Sequence, residues 1–438
     1  MQLHDRFLGK RIAVIGIGPH GEMLADIRFL AKASALVSVY DLRSESRLQE
    51  HVAALRSFGL ANHVFGEVPV DDLLDMDLIL LSHDYPRDSS FLHGARKKGI
   101  DIEYPETLFL KTAPPVTVVG IMGAAGTSTV LSMLAPMLEA ACKASGQSCV
   151  ALDPESGTGI LAHLKKLSTG DVAVMKIAPR MQAEISALRW SPQVAVFTTM
   201  PPREAYRESP FEIMANQTYN NYVIGSDYII DAVRTSGFQT KAKMLRTKAA
   251  IVPEEWLPNA KNPHDLENAA LALQAATALK ATGEMAEAAL RKWKPLKGRI
   301  EYAKKVRGVD FINDSASTDP VSTAIALSHV SRGRNAILIF GGAGHAGDYR
   351  ELYAAISRFA HAVIVLPGSG TLRERAAIRA LEGVAVESAP SLEEAVRLAM
   401  DHAAKGDAVI YSPAFEPGGV DASRRERSER FLRAVRAL

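Results

Sequence analysis

The sequence predicts three consecutive α/β domains: a Rossmann-like one at the N-terminus, a P-loop-like one in the centre and a second Rossmann-like one at the C-terminus. Three observations predict this class. Short aliphatic runs recur along the chain, and most meet a glycine-rich turn, the pattern of parallel strands buried on both faces. The 438 residues exceed what one hydrophobic core organises and suit two or three domains. The string "KTAPP" (residues 111–115) carries two prolines, which disfavour helix and central strand alike and mark a linker. The expected domains are 1–112, 113–295 and 296–438.

The first block opens with "KRIAVIGIGPHGEMLADIRFLAKASALVSVYDLRSE". A buried strand (Ile12 to Ile15) meets the turn Gly16-x-Gly18-x-x-Gly21, a helical pattern follows, and a second strand, "LVSVYD", ends on Asp41. That is a βαβ unit with an acidic residue about twenty positions beyond the glycines. Such a turn accepts any pyrophosphate at a helix N-terminus, whether of NAD or of a UDP-sugar. Glycines that serve only the turn give the same pattern, so all three readings stand. Further alternation follows in "MDLILLSHD" and "HGARKKGIDIEY".

The second block starts with "VVGIMGAAGTSTVLSML" (residues 118–134), an apolar strand, a run of glycines and a helix. Loops of this layout that hold nucleotide phosphates end in Gly-Lys-Ser or Gly-Lys-Thr. Here the string is Gly126-Thr127-Ser128, and the lysine is absent. Gly120, Gly123 and Gly126 remain, so backbone N–H groups can still form a nest for an anion, with Ser128 or Thr129 able to meet a metal. Glycines that now serve only the turn are the alternative. Strands "VAVMKIA" and "QVAVFTT" follow, and the block closes with "HDLENAALALQAATALKATG", read as one helix ending at Gly283. The third block begins near "KPLKGRIEYAKKVRGVDFINDSAST" and contains "NAILIFGGAGHAGDY", "AVIVLPGSG" and "GDAVIYSPAFEPGG", buried strands meeting glycine-rich turns.

Composition excludes several classes. A hydrophobic share of 47% and a charged share of 23% are those of a globular protein. Lys plus Arg at 51 against Asp plus Glu at 49 gives no electrostatic case for nucleic acid. The C-terminal "ASRRERSERFLRAV" interleaves Arg424, Arg425, Arg427 and Arg430 with Glu426 and Glu429, as a solvated helix does. Only Cys142 and Cys149 occur, which points to a reducing compartment. The N-terminal residues lack an apolar core of signal length, and no uninterrupted apolar stretch reaches membrane-spanning length, so no membrane insertion and a cytoplasmic location are expected.

Taken in order, "DLR" after the first turn, "GIMGAAGTST", "HDLENAALA", "GRIEYAKKVRGVDFINDSAST", "GGAGHAGDY" and "SPAFEPGG" before an Arg/Glu-rich helix resemble the Mur ligases along the whole chain. The type it resembles adds D-glutamate to a UDP-N-acetylmuramoyl peptidoglycan precursor. The resemblance implies domains for the UDP-sugar, ATP and amino acid respectively. It also implies a reaction in which a substrate carboxylate attacks the γ-phosphate of ATP and an amine then displaces phosphate. Catalysis of that kind is positioning plus cationic stabilisation by magnesium and lysine.

Carried over residue by residue, the resemblance puts the loop lysine at Thr127 and a magnesium-binding Glu at Lys176 in "AVMKIAPRMQ". A metal-binding His falls near Pro202 and a carbamylated lysine near Asn216. A third-domain lysine falls at Ala316 in "NDSASTD", and a lysine beside the incoming carboxylate at His345 in "GGAGH". The nucleotide candidates that persist are Gly123, Gly126, Ser128, Thr129, Asn268, Arg299 and Asp314. Gly16, Gly18, His20, Gly21, Asp41 and Arg43 are the UDP-sugar candidates, and Thr318, His345 and Ser412 the amino-acid ones. The string "LSHDYP" departs from the family's turn near the uridine. Lys176 reverses a charge: it either stands in for the missing loop cation or is a lysine with no site to serve.

The joint losses lead to the expectation of a non-catalytic Mur ligase homologue with no cofactor. It would bind a UDP-linked precursor or another cell-wall protein. An active D-glutamate ligase with displaced catalytic residues, using ATP and magnesium, is the alternative. A third reading is a different enzyme using a dinucleotide on the first turn.

Overall fold

The computed structural model describes residues 6–18, 21–200, 209–260, 263–344, 348–415 and 424–438. Within them, three sheets follow one another along the chain. The first contains β1 (Arg11–Ile15), β2 (Leu36–Asp41), β3 (Asn62–Phe65), β4 (Leu78–Leu81) and β5 (Asp101–Glu103), all parallel, in the order β3-β2-β1-β4-β5. The second contains β6 (Thr117–Met122), β7 (Cys149–Leu152), β8 (Val172–Lys176), β9 (Val194–Phe197), β10 (Tyr222–Ser226) and β11 (Lys243–Thr247), again parallel, in the order β11-β10-β9-β6-β8-β7. The third contains β12 (Glu301–Val306), β13 (Val309–Asn313), β14 (Ala336–Phe340), β15 (Ala360–Val365), β16 (Ala385–Ser388) and β17 (Ala408–Tyr411), in the order β12-β13-β17-β14-β15-β16. Only its edge strand β12 runs antiparallel. The three-domain α/β class expected from the sequence is the one observed.

Central strands such as "AVI", "LILL" and "AILIF" are buried on both faces, which is why they read as continuous apolar runs. Met1–Trp256 with Glu267–Leu290 form one compact unit, and Leu257–Leu266 with Arg291–Leu438 another. The first two sheets share a single core inside the first unit. It joins Ile12, Val39 and Leu80 to Met122, Met175 and Phe197. One buried polar contact fixes the same seam. Asp26, on the helix Leu24–Lys32, accepts the N–H groups of Ile160 (3.1 Å) and Leu161 (2.7 Å) at the start of the 3₁₀ turn Leu161–Lys166. Burial pushes its carboxyl up to about 7 despite those bonds.

Two local readings need correction. "HDLENAALALQAATALKATG" is not one helix: Pro263–Ala278 is helical, Lys280 has φ 66°, and Gly283 begins a second helix, Gly283–Lys292. A left-handed residue cannot continue an α-helix, so the chain turns there. The C-terminal helix Arg424–Ala437 is also not a purely solvated one. Arg427 is buried, and its guanidinium donates to the carbonyls of Phe415 (2.9 Å) and Ser315 (3.1 Å), while Phe431 packs into a core with Phe311, Ile337 and Tyr411 of the third sheet. Among the described residues no helix is long and apolar enough to cross a membrane.

Candidate functional site

The glycine loop of the second sheet leaves β6 and enters the eighteen-residue helix Thr127–Ala144. Gly123 (φ 141°) and Gly126 (φ 81°) hold conformations that side chains disfavour. A Cβ at Gly123 would stand 2.2 Å from Thr198 Oγ1, and one at Gly126 2.7 Å from Asn268 Oδ1. The loop is thus wedged between the strand end after β9 and the helix carrying Asn268, and it needs glycine at both points. Gly120 lies within β6, where its missing Cβ makes room for Ile177 and Pro192, so it belongs to strand packing and not to a nest.

The nest itself has an internal occupant. Thr199 Oγ1 accepts the N–H groups of Ala124 (2.8 Å) and Ala125 (3.4 Å), and the Thr198 hydroxyl donates to Ala125 O (2.5 Å). A phosphate seated on these amides would first displace Thr199. Thr127 and Ser128 are buried at the head of the helix and Thr129 is half-buried. Ser128 Oγ has no hydrogen-bond partner among the described residues. An orphaned buried hydroxyl is costly, which makes Ser128 a candidate for a ligand, although Ser331 Oγ is orphaned in the same way.

Lys176 ends β8, opposite Ile121 of β6 in the register. Ala173 and Met175 enter the core shared with the first sheet. By strand alternation Lys176 points to the other face, the one against which the helix Thr127–Ala144 packs on β7 and β8. The lysine is only 7% exposed, and its Nζ lies 2.9 Å from Glu155 Oε2 and 3.7 Å from Asp153 Oδ1. A buried ammonium without a partner is prohibitively costly, and these two carboxylates meet that need. Lys176 is therefore a partnered cation. Its partners follow β7 in "LDPES" and escaped the sequence reading, because only the β8–β7 adjacency brings them to it.

The first turn is closed differently. Asp41 is fully buried and accepts Ile17 N (3.1 Å), Arg43 N (2.9 Å), Arg43 Nε (2.9 Å) and Arg43 Nη2 (2.6 Å), and also the Tyr85 hydroxyl (3.2 Å). Burial pushes its carboxyl up, but the Arg43 bonds outweigh burial and hold it below the usual range. Arg43 also reaches Gly18 O (3.3 Å). The strand order reverses between β1 and β4, the place where such sheets bind ligands. There, a Cβ on Gly16 would strike Ser82 Oγ at 2.3 Å and the Tyr85 ring at 2.4 Å. Residues of "LSHDYP" fill the crevice, and Asp41 has no acceptor capacity left for a ribose hydroxyl. The dinucleotide reading loses its key contact. Gly18 and Gly21 keep positive φ as turn glycines, and His20 lies outside the described residues.

Beside this turn is a cleft of about 610 Å³ whose lining includes His83, Arg87, Arg96, Tyr104 and Glu184. Arg87 pairs with Glu184 (2.8 Å) and lies over the Tyr104 ring, and His83 Nε2 lies 3.0 Å from Glu106. None of these was singled out from sequence. The only signal was the departure of "LSHDYP" from a family turn.

In the C-terminal unit, two candidates assigned to different ligands meet in one buried network. Asp314 Oδ2 lies 2.6 Å from Ser412 Oγ, which is 2.9 Å from Thr323 Oγ1, and Asp314 also accepts Ile300 N (3.0 Å). Burial raises the Asp314 carboxyl to about 6. Both side chains are buried and bonded to each other. Ala316 donates its N–H to Gly298 O (2.9 Å), and Arg299 and Thr318 are half-buried. Asn216 is exposed in a turn, whereas Pro202 and His345 lie outside the described residues.

Residues 298–415 match the model of the Mur ligase glutamate ligase domain. Over 98% of this chain and 96% of the relative, it is 28% identical to a UDP-N-acetylmuramoylalanine–D-glutamate ligase of Desulfosudis oleivorans. The protein of that name from Streptococcus pyogenes is 27% identical over 99% of this chain and 98% of the relative. The chain is similar to Mur ligases along nearly its whole length. Solved structures agree on the fold. The UDP-N-acetylmuramate-alanine ligase of Thermotoga maritima superposes with a TM-score of 0.58 at 17% identity, covering 98% of this chain and 99% of that one. A murein peptide ligase of Psychrobacter arcticus gives 0.56 at 15% identity, covering 98% and 99%. Ser128 offers an unused hydroxyl and Lys176 the charge that Thr127 does not, while Asp153 and Glu155 are paired with Lys176 and, among the described residues, no group of three or more His, Cys, Asp or Glu side chains gathers to hold a metal.

Proposed function

We propose that the protein acts in peptidoglycan precursor synthesis as an ATP-dependent ligase. It joins the amine of D-glutamate to the carboxyl of a UDP-N-acetylmuramoylalanine. The observation that carries this reading is the likeness, at 25–28% identity over nearly the whole chain, to relatives bearing that activity in their names. The division into domains 1–112, 113–295 and 296–438, one per substrate, and a cytoplasmic location go with it. Ser128 and Lys176 would hold the triphosphate, which with its magnesium would supply the activating phosphoryl group.

The test is direct. Purified protein, ATP, magnesium, UDP-N-acetylmuramoyl-L-alanine and labelled D-glutamate should yield labelled UDP-dipeptide with one ADP per amide. A second reading, a non-catalytic homologue that binds a UDP-linked precursor or a cell-wall partner, is favoured by one observation. Thr199 occupies the loop amides while Lys176 stands at the position the resemblance gives to a metal-binding Glu. Precursor binding by calorimetry without ADP release would establish that reading and end the first.

A further inference from the structure

The loop of the second sheet has no lysine, yet a buried lysine stands one strand away. Lys176 pairs in register with Ile121, two residues before Gly123, and projects on the face covered by the loop helix. Ser128, in the first turn of that helix, is 8% exposed and its Oγ has no partner among the described residues. An eighteen-residue helix opening on a glycine turn presents its positive end there.

The ion pair around Lys176 is unequal. The lysine side chain is 9% exposed, whereas those of Asp153 and Glu155 are 23% and 40% exposed. The ammonium is the fixed member. The carboxylates can rotate into water at small cost, because exposed acidic groups lose little when such a pair opens.

We propose that Lys176 is the phosphate-facing cation of this chain. When the terminal phosphates of a nucleoside triphosphate reach the head of the loop helix, its ammonium exchanges Glu155 and Asp153 for phosphate oxygens. The positive charge has moved from the loop to the neighbouring strand, and the two carboxylates hold it in place until the ligand arrives. This inference rests on the ligase reading for its ligand and adds the residue that recognises it. No bond is made or broken in the exchange, and net charge is conserved.

Calorimetric titration with ATP, ADP and AMP, without precursor, tests it. Lys176→Met should weaken ATP about tenfold to hundredfold, the loss expected for one charge-assisted contact, and leave AMP unchanged. Lys176→Arg should retain most of the ATP affinity. Glu155→Gln should tighten ATP, because the ammonium is then held by one carboxylate. Equal ATP affinity in Lys176→Met and the parent would overturn the proposal, as would an equal loss for ATP and AMP or a parent that binds no ATP. Urea unfolding of each variant separates misfolding from lost recognition, and Lys176→Arg carries the test if the Met variant does not fold. A parent that binds ATP through Lys176 but forms no UDP-dipeptide would end the ligase reading and leave this one standing. Ligation by the parent with unchanged ATP binding in Lys176→Met would do the reverse.

Discussion

Two glycine turns at the ends of β1 and β6 look alike in sequence and differ in how they are finished. At the first, Asp41, Arg43 and Tyr85 satisfy one another, and the Tyr85 ring fills the crevice. At the second, Ser128 keeps an unused hydroxyl and Lys176 pairs with two partly exposed carboxylates. A turn whose polar groups are all paired is a structural joint. One with an orphaned donor and a half-solvated ion pair retains capacity for a ligand. Glycine spacing alone does not separate the two.

The largest expected effect concerns the joint between the two regions. Asp26 has its carboxyl raised from 3.8 to about 7 by burial. The folded state therefore binds the proton more tightly than the unfolded chain, so this group's stabilisation is fully present below about pH 4 and is lost as pH rises through 7. The span is worth about 4 kcal/mol at most. Urea midpoints at pH 5 and pH 8 should differ less in Asp26→Asn than in the parent. An unchanged difference would show that another group dominates.

Next comes the closed turn. Asp41→Ala strips acceptors from Ile17, Arg43 and Tyr85 at once and should cost about 3 kcal/mol in urea unfolding, since it leaves a partly buried cation and donors unpaired. A change near zero would mean that the turn is not the sealed joint described here. At the open turn, Thr127→Lys should raise ATP affinity about tenfold to hundredfold, corresponding to about 1.5–3 kcal/mol for a lysine–phosphate contact. No gain by calorimetry would mean that Thr199 keeps the loop amides against the nucleotide.

The smallest effect sharpens the packing side of the comparison. Gly126→Ala meets both a positive φ and Asn268, whereas Gly146→Ala meets a positive φ (72°) with open space around it. The first should cost about 1 kcal/mol more than the second in thermal unfolding. Equal costs would show that Asn268 yields and does not wedge the loop.

Much of this molecule was legible in its residues. Parallel strands buried on both faces cannot tolerate polar positions, so "RIAVI", "VVGIM" and "AILIF" announce themselves, and glycine must appear where the chain bends back under positive φ. The helix break at Lys280 was not legible, because Ala and Leu continue on both sides and no proline or glycine stands at the turn itself. The burial of Arg427 was not legible either, because charge alternation cannot report which arginine faces the carbonyls of Phe415 and Ser315.

The sequence by itself determined the α/β class, the three sheets in succession, the glycine turns and the absence of a loop lysine. Each follows from local chemistry: burial on two faces, backbone conformation, one missing charge. Only the tertiary structure decided how those turns are finished. The pairing of Lys176 with Glu155 and Asp153, the Thr199 hydroxyl on the loop amides and the Tyr85 ring over Gly16 join residues 69 or fewer but at least 21 positions apart, or 75 in the case of Thr199 and Ala124. They meet because parallel strands return to the same edge of a sheet in an order, β9-β6-β8-β7 or β2-β1-β4, that differs from their order in the chain.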